Sequence, residues 1–90
     1  MPLVVIRHKV NDYAVWKKAY DNHAGARAEA GYSKGRVTRS ADDPNEVVLL
    51  FEVTDLAKAK AFGASAELKS AMQGAGVADE PDLYFLSDAG

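Results

Sequence analysis

The stretch Leu3-Val4-Val5-Ile6-Arg7-His8-Lys9-Val10 decides the fold, because its side chains alternate between two kinds of surface. One face carries three apolar residues and a histidine, namely Val4, Ile6, His8 and Val10. The other face mixes apolar and cationic side chains, namely Leu3, Val5, Arg7 and Lys9. Alternation with a period of two is typical of a β-strand. We interpret the stretch as a first strand whose His8 face packs against helices.

An amphipathic helix follows this strand. Asp12 is a good N-cap, no proline occurs between residue 13 and about residue 30, and Gly31 suits the C′ position. At about 100° per residue, five side chains share one stripe of this helix. They are Tyr13, Trp16, Tyr20, His23 and Arg27. The pattern predicts one continuous helix that turns the stripe toward the sheet.

A hairpin comes next. Residues 32–40 and 46–53 have the composition of strands, and the second is the more apolar. The turn signal Asp42-Asp43-Pro44-Asn45 joins them, because proline presets φ and Asp and Asn favour turn positions. The sequence does not decide which face of the sheet Arg39 occupies.

A second helical region and a last strand complete the chain. Asp55 caps the region, which runs from residue 56 to about residue 75. Gly63 interrupts it and Ser65 provides a fresh N-terminus, so we expect two short helices or one kinked helix. Residues 83–86 form the last strand.

The order β-α-β-β-α-β is that of the ferredoxin-like α+β fold, a four-stranded antiparallel sheet with both helical regions on one face. We expect one domain over residues 1–90. The opposite sheet face keeps apolar side chains that nothing in the chain covers, namely Val5, Val48 and Leu50 with Tyr84 or Leu86. Exposed apolar patches of this kind usually mark an interface. A homodimer with two sheets face to face about a two-fold axis would cover them.

Composition limits what such a domain can do. Its 11 basic and 13 acidic side chains give a net charge of -2, which offers no electrostatic footprint for nucleic acid. Without cysteine, disulfides, thiolate nucleophiles and cysteine-based metal sites are excluded. No apolar run is long enough to span a membrane, and the first residues lack the basic region of a signal peptide. We therefore expect a cytoplasmic protein.

Two longer stretches resemble a known group of proteins. The first comprises His8-Lys9-Val10-Asn11-Asp12-Tyr13-Ala14-Val15-Trp16 and its continuation through Tyr20-Asp21-Asn22-His23 to Arg27 and Gly31. The second comprises Asp43-Pro44-Asn45-Glu46-Val47, Thr54-Asp55-Leu56-Ala57-Lys58-Ala59 and residues 68–77. They resemble the antibiotic biosynthesis monooxygenase-like superfamily, and are closest to its uncharacterised or "cyclase"-labelled members. The resemblance implies a homodimeric α/β barrel built from two sheets, with one cavity per subunit between sheet and helices.

The activities within that superfamily are diverse, so the fold does not fix the function. Its members include cofactor-independent oxygenases of aromatic polyketides, polyketide cyclases, haem-degrading enzymes, lactone isomerases and proteins without demonstrated activity. Haem breakdown is disfavoured, because that branch uses a histidine on the second helical region and residues 55–76 contain none. We expect a cofactor-free monooxygenase or cyclase acting on a small aromatic or enolisable molecule. The alternative is a non-catalytic dimer that binds a small ligand or has a stress-related structural role.

Two histidines are the candidate catalytic residues. His23 lies near Trp16 on the helix stripe, where a neutral imidazole can accept a proton from a phenol or an acidic C–H. His8 enters the same cavity if its strand face meets the helices. Each has a plainer interpretation, His23 as a hydrogen-bonded core histidine and His8 as a solvated residue near a sheet end. Two ligands make an incomplete metal site, so we expect no metal.

Five further residues are candidates for substrate binding. Trp16, Tyr13 and Tyr20 form an aromatic row whose N–H and O–H groups can donate to a ligand's oxygens, although such rows are more often core. Arg27 either extends outward at the helix end or pairs with a carboxylate of a ligand or of a partner. Met72 can line a cavity with some plasticity.

Overall fold

The described part of the chain, residues 1–89 of a computed structural model, contains eight regular elements. In chain order they are β1 (Leu3–Lys9), α1 (Tyr13–Asn22), α2 (Ala24–Glu29), β2 (Tyr32–Arg39), β3 (Glu46–Val53), α3 (Leu56–Gly63), α4 (Ala66–Gly74) and β4 (Asp82–Leu86). Gly90, the last residue of the expected domain, lies outside the described residues. Within residues 1–89, none of the helices has the length and apolar character needed to cross a bilayer.

The four strands form one antiparallel sheet in the order β2-β3-β1-β4, which confirms the ferredoxin-like α+β fold. β1 is therefore an interior strand, paired with β3 on one side and β4 on the other. The register of β2 on β3 shifts between Ser33 and Arg36, and Lys34 in this bulge has a φ of 50°. Arg39 lies opposite Val47, which places it on the face that the helices cover.

The predicted helix starts are confirmed. The Asp12 carboxylate accepts hydrogen bonds from the backbone N–H groups of Ala14 and Val15, at 2.9 and 3.3 Å. Asp55 caps α3 in the same way, and the Ser65 hydroxyl accepts from the N–H of Leu68 at the start of α4. The second helical region is thus two short helices, each with its own cap.

The first helical region is not the continuous helix that the sequence predicts. It breaks at His23, which ends α1 and precedes α2 with a φ of -98° and a ψ of 11°. Arg27 Nη1 donates to the carbonyl of Tyr20 at 2.8 Å, at the point where a continuous helix would use that carbonyl for residue 24. The N–H of His23 donates to the same carbonyl at 3.2 Å, so a side chain and a tighter main-chain bond take the place of the helical one, and the chain bends.

The sheet has two unlike faces. On β1 and β3 the helix-covered face is almost completely buried and carries Val4, Ile6, His8, Val47, Leu49, Phe51 and Val53. The open face carries Leu3, Val5, Arg7, Val48, Leu50, Tyr84 and Leu86. His8 has 1% of its surface exposed, so its interpretation as a solvated residue is wrong. The reason is the interior position of β1, which puts neighbours on both sides of it.

Candidate functional site

An inner cavity of about 60 Å³ lies between the helix-covered face and the helices. Six of the seven predicted site residues line it, namely His8, Trp16, Tyr20, His23, Arg27 and Met72. The rest of its wall is apolar and includes Leu49, Phe51, Phe62 and Leu68. His23, Arg27 and Met72 are partly exposed, so the rim of the cavity reaches the surface beside them.

His8 is the polar group at the buried end of the inner cavity. Its Nδ1 has no hydrogen-bond partner among residues 1–89, and no other buried side-chain nitrogen or oxygen in that part of the chain is left in this state. Its ring meets that of Trp16 edge-on, with 5.6 Å between the ring centroids. Leaving such a group unpaired costs about 1–3 kcal/mol. A ligand that pairs with Nδ1 would recover part of that cost.

Burial is the main influence on the pKa of His8, and it lowers that pKa below its ordinary value because the charged imidazolium is poorly solvated there. The positive charge of Arg7 also lowers the pKa, whereas the negative charge of Asp79 raises it. The imidazole of His8 is therefore neutral near pH 7. A neutral imidazole has one ring nitrogen with a free lone pair, which is what a general base requires.

His23 also lines the inner cavity, at the break between α1 and α2. Its ring stacks on that of Phe62, with 6.4 Å between centroids and 26° between planes. It is partly exposed, whereas His8 is fully buried. The two predicted catalytic histidines are thus on one cavity but in different surroundings.

An aromatic row connects the two ends of the inner cavity. The rings of Trp16 and Tyr20 have centroids 5.1 Å apart, and the Arg27 guanidinium carbon lies 3.7 Å from the centroid of the Tyr20 ring. Burial raises the pKa of the Tyr20 hydroxyl, which keeps it protonated. The order along the wall is therefore His8, Trp16, Tyr20 and Arg27, with a neutral base at one end and a cation at the other.

Arg27 has no acidic partner in residues 1–89 within 4.0 Å, although seven ion pairs involve other residues there. The only hydrogen bond of its guanidinium in this part of the chain is the one to the Tyr20 carbonyl. Burial lowers the pKa of its guanidinium, although arginine stays charged in proteins. An anion in the inner cavity would find this cation uncompensated.

Tyr13 and Tyr32 have other surroundings. Tyr13 packs on Trp16 but does not line the inner cavity, and the Arg39 guanidinium carbon lies 4.1 Å from the centroid of its ring. Tyr32 lines the cavity, yet its hydroxyl donates to the carbonyl of Ala59 at 2.9 Å. Burial raises the pKa of Tyr32 to about 12. The Tyr32 hydroxyl therefore donates its hydrogen within the fold and not to a ligand.

Sequence reasoning did not select Leu49 and Phe51, which supply much of the apolar wall. The signal was present, since they alternate with Val47 and Val53 on one strand face.

In residues 1–89 no group of three or more histidine, aspartate and glutamate side chains is placed to hold a metal ion.

A second, larger space adjoins the inner cavity. This outer cavity, of about 520 Å³, lies between α4 and the segment that leads to β4, and residues 77–81 form much of its wall. Leu68 and Met72 line both spaces. These two side chains are therefore the partition between the inner and the outer cavity.

Comparisons with known proteins show what the chain resembles. No family model and no curated protein matches it. Among solved structures, a protein from Bordetella bronchiseptica with the provisional name antibiotic biosynthesis monooxygenase has a TM-score of 0.79 and 15% identity, over 98% of this chain and 96% of that chain. One from Caulobacter crescentus with the same provisional name has a TM-score of 0.72 and 23% identity, over 99% and 90% of the two chains.

SnoaB, a cofactor-independent oxygenase from Streptomyces nogalater, has a TM-score of 0.70 and 18% identity, over 98% of this chain and 94% of that chain. At these identities the likeness establishes the fold. The chain has the fold of antibiotic biosynthesis monooxygenase-like structures over its whole length, as the resemblance predicts.

Proposed function

We propose that the protein is a cofactor-independent monooxygenase or cyclase that acts on a small aromatic or enolisable molecule, with His8 as its base. The observation that carries the proposal is the buried His8, which lines an apolar cavity and whose Nδ1 has no hydrogen-bond partner among residues 1–89. A polar atom left unpaired in a core costs stability and is uncommon in folded proteins. The likeness to SnoaB, described as a cofactor-independent oxygenase, supports the proposal of a cofactor-independent monooxygenase.

The chemistry begins with proton transfer. The neutral imidazole of His8 accepts a proton from an acidic O–H or C–H of the substrate, and the resulting imidazolium lies beside the anion that it has formed. At the other end of the row, Arg27 offers a positive charge that stabilises the anion electrostatically. The apolar wall excludes water, so both interactions act in a medium of low dielectric constant.

The anion then reacts without electrons from a cofactor. In the oxygenase case an activated methylene and dioxygen give a ketone and water, and dioxygen takes all four electrons from the substrate. In the cyclase case the same carbanion attacks a carbonyl carbon of its own molecule, and the new alkoxide takes the proton back from His8. Both reactions need the same neutral base.

An oxygen-uptake screen with small phenols and 1,3-diketones tests this proposal, with product analysis for ring closure. Removing a general base costs about 10²–10⁴-fold in rate. We expect a loss of that size in His8→Gln, which keeps a polar side chain of similar length. His23→Gln is the matched variant, since it removes the other histidine of the cavity. Equal rates for wild type and His8→Gln would refute the base, and the absence of any turnover would favour the non-catalytic alternative.

The assembly we propose is a homodimer that joins the open faces of two copies. On this face Leu3 is 36% exposed, Leu50 37%, Leu86 43% and Tyr84 54%. The adjoining Val5 and Val48 extend the patch. A sheet face of this kind in contact with water is unfavourable, and a second copy would cover it symmetrically.

Light scattering during gel filtration measures the mass directly. We expect the wild type to elute at twice the mass of one chain and Leu50→Lys to elute as a monomer, because a lysine at the centre of the patch would be buried without a partner. Val15→Lys is the control. Val15 is 58% exposed but lies on α1, away from the open face. A wild-type protein of monomeric mass would contradict the assembly.

A further inference from the structure

We propose that the inner cavity takes a small planar anion of no more than one ring, with its carboxylate on Arg27 and its flat face along Trp16 and Tyr20. This anion would be the substrate class of the proposed function. The proposal rests on that function only in placing substrate binding and catalysis in the same cavity. It comes from the charge and shape of the cavity rather than from His8.

In the described part of the chain, the charge of Arg27 is not balanced by a carboxylate, unlike that of Arg7. Arg7, on the open face, makes ion pairs with three carboxylates, each at 2.9 Å. Arg27, on the inner cavity, has none within reach in residues 1–89 and is partly buried. Arginine is the residue that proteins use most for planar, bidentate recognition of carboxylates. An arginine without a counter-ion at the rim of an apolar cavity is matched to an anionic ligand.

The charged pair on the neighbouring helix α1 does not supply that counter-ion. Lys17 and Asp21 lie on α1, one turn apart, and pair with each other through Nζ and Oδ1 at 2.6 Å. Their charges offset one another, so the positive potential at this end of the cavity is chiefly that of Arg27.

Tyr20 fixes the orientation of the Arg27 guanidinium. The Arg27 guanidinium carbon lies 3.7 Å from the centroid of the Tyr20 ring, and Nη1 is held by the Tyr20 carbonyl. A guanidinium has five N–H donors, and one hydrogen bond leaves the others free. Stacking covers a flat side of the group, so the free donors point along its edge. A carboxylate can take two of them at once, and a ring attached to it then runs toward Trp16.

The volume of the inner cavity limits the size of the ligand. The inner cavity, at about 60 Å³, is smaller than the cavity of about 150 Å³ that holds a buried benzene ring in another protein. A ring can therefore enter only if its charged group stays at the rim and a wall side chain yields. Met72 is unbranched and flexible, and it has the outer cavity behind it. Ligands with several fused rings exceed this space.

Benzoate and its neutral isostere benzamide test the inference on the intact protein. Trp16 is the only tryptophan of the chain and lines the cavity, so its fluorescence reports binding directly. We expect benzoate to bind the wild type about 10-fold or more tightly than benzamide, the ratio that a charge-assisted bidentate pair provides. In Arg27→Gln the two dissociation constants should become equal, with that for benzamide unchanged. Arg27→Lys should keep a reduced preference.

Arg39→Gln is the matched control, because Arg39 also lies over a tyrosine ring but outside the cavity. It should keep the full preference for benzoate. Three results would each overturn the inference. They are equal affinities of the wild type for benzoate and benzamide, a preference for benzoate that survives in Arg27→Gln, and no binding of benzoate at millimolar concentration. The wild-type comparison needs no variant, so it decides the matter even if Arg27→Gln fails to fold. Oxygen uptake without a preference for the carboxylate would refute this inference alone. A preference for benzoate without oxygen uptake or ring closure would refute the proposed function alone.

Discussion

Arg7 and His8 are neighbours in the sequence but represent the two faces of one sheet. Arg7 lies on the open face, where Glu46, Asp79 and Asp82 satisfy its guanidinium. His8 lies on the helix-covered face, almost completely buried, with Nδ1 unpaired. On the open face, charged groups form ion pairs with each other at the surface. On the helix-covered face, a weak base in the core is left without a hydrogen-bond partner among residues 1–89.

The difference shows how stability and function are divided in this domain. The three carboxylates of the open face raise the pKa of Arg7, and the Lys9 backbone N–H is the main reason that the pKa of Asp79 is lowered. These groups tie β1 to β3 and to the segment before β4. On the helix-covered face packing supplies the stability, and the polar group that packing leaves unsatisfied is the one available for chemistry.

The two faces should differ most in stability at two adjacent leucines of β3. Leu49 is 4% exposed on the helix-covered face, and Leu50 is 37% exposed on the open face. Leu49→Ala should lower the free energy of unfolding by about 2–5 kcal/mol at every protein concentration, because it empties part of a packed core. Leu50→Ala should cost about 1 kcal/mol in dilute protein. Urea unfolding measures both, and equal costs would contradict the contrast between the faces.

A smaller effect is expected at Gly35, beside the bulge in β2. A Cβ built there would lie 2.9 Å from Cε1 of Phe51 and 3.1 Å from the hydroxyl of Tyr20, on the helix-covered face. Gly35→Ala should therefore destabilise the protein by about 1–3 kcal/mol through overpacking. Gly25→Ala is the control. Gly25 lies in α2 with nothing within 4 Å of its added Cβ, so that change should stabilise by about 0.5–1 kcal/mol. Thermal unfolding distinguishes the two, and a stabilising Gly35→Ala would show that the bulge has room.

The stability of the protein should depend on pH through His8. The folded-state pKa of His8 lies below the unfolded value of about 6.5, so the unfolded chain binds more protons between the two values. The stability contributed by neutral His8 is present above pH 6.5 and is lost as the pH falls toward the folded-state pKa. We expect wild type to lose up to about 1.4 kcal/mol per pH unit in this window. Urea unfolding at pH 7.5 and pH 5.5 measures the loss, which His8→Gln should remove and His23→Gln should keep. A loss unchanged in His8→Gln would assign it to another group.

Local signals made much of the fold predictable from the sequence. Asp12, Asp55 and Ser65 each start a helix with side-chain oxygens that accept the first backbone N–H groups. The alternation of β1 and β3 identified the helix-covered face, and Gly31 has the positive φ, 85°, expected of a residue at C′. These features depend on a few neighbouring residues, and such features are readable without the rest of the chain.

Features that depend on distant residues were not readable. The solvated interpretation of His8 failed because β1 is an interior strand, which only the strand order reveals. The break at His23 depends on Arg27 reaching back to the Tyr20 carbonyl. Tyr13 and Tyr20 share the helix stripe, yet only Tyr20 lines the inner cavity, because Tyr13 lies under Arg39 at the end of the hairpin. The face of Arg39 itself depends on the shift in register at the bulge.

The partition between the two cavities has a consequence for how such a domain changes over evolutionary time. Leu68 and Met72 both belong to α4, a helix of nine residues, whereas the base and the cation lie on β1 and α2. Substitution of Met72 by a smaller residue would join about 60 Å³ to about 520 Å³ without altering either polar end. Substrate size and reaction chemistry are therefore separate variables for selection, and for an engineer who screens variants of this one helix.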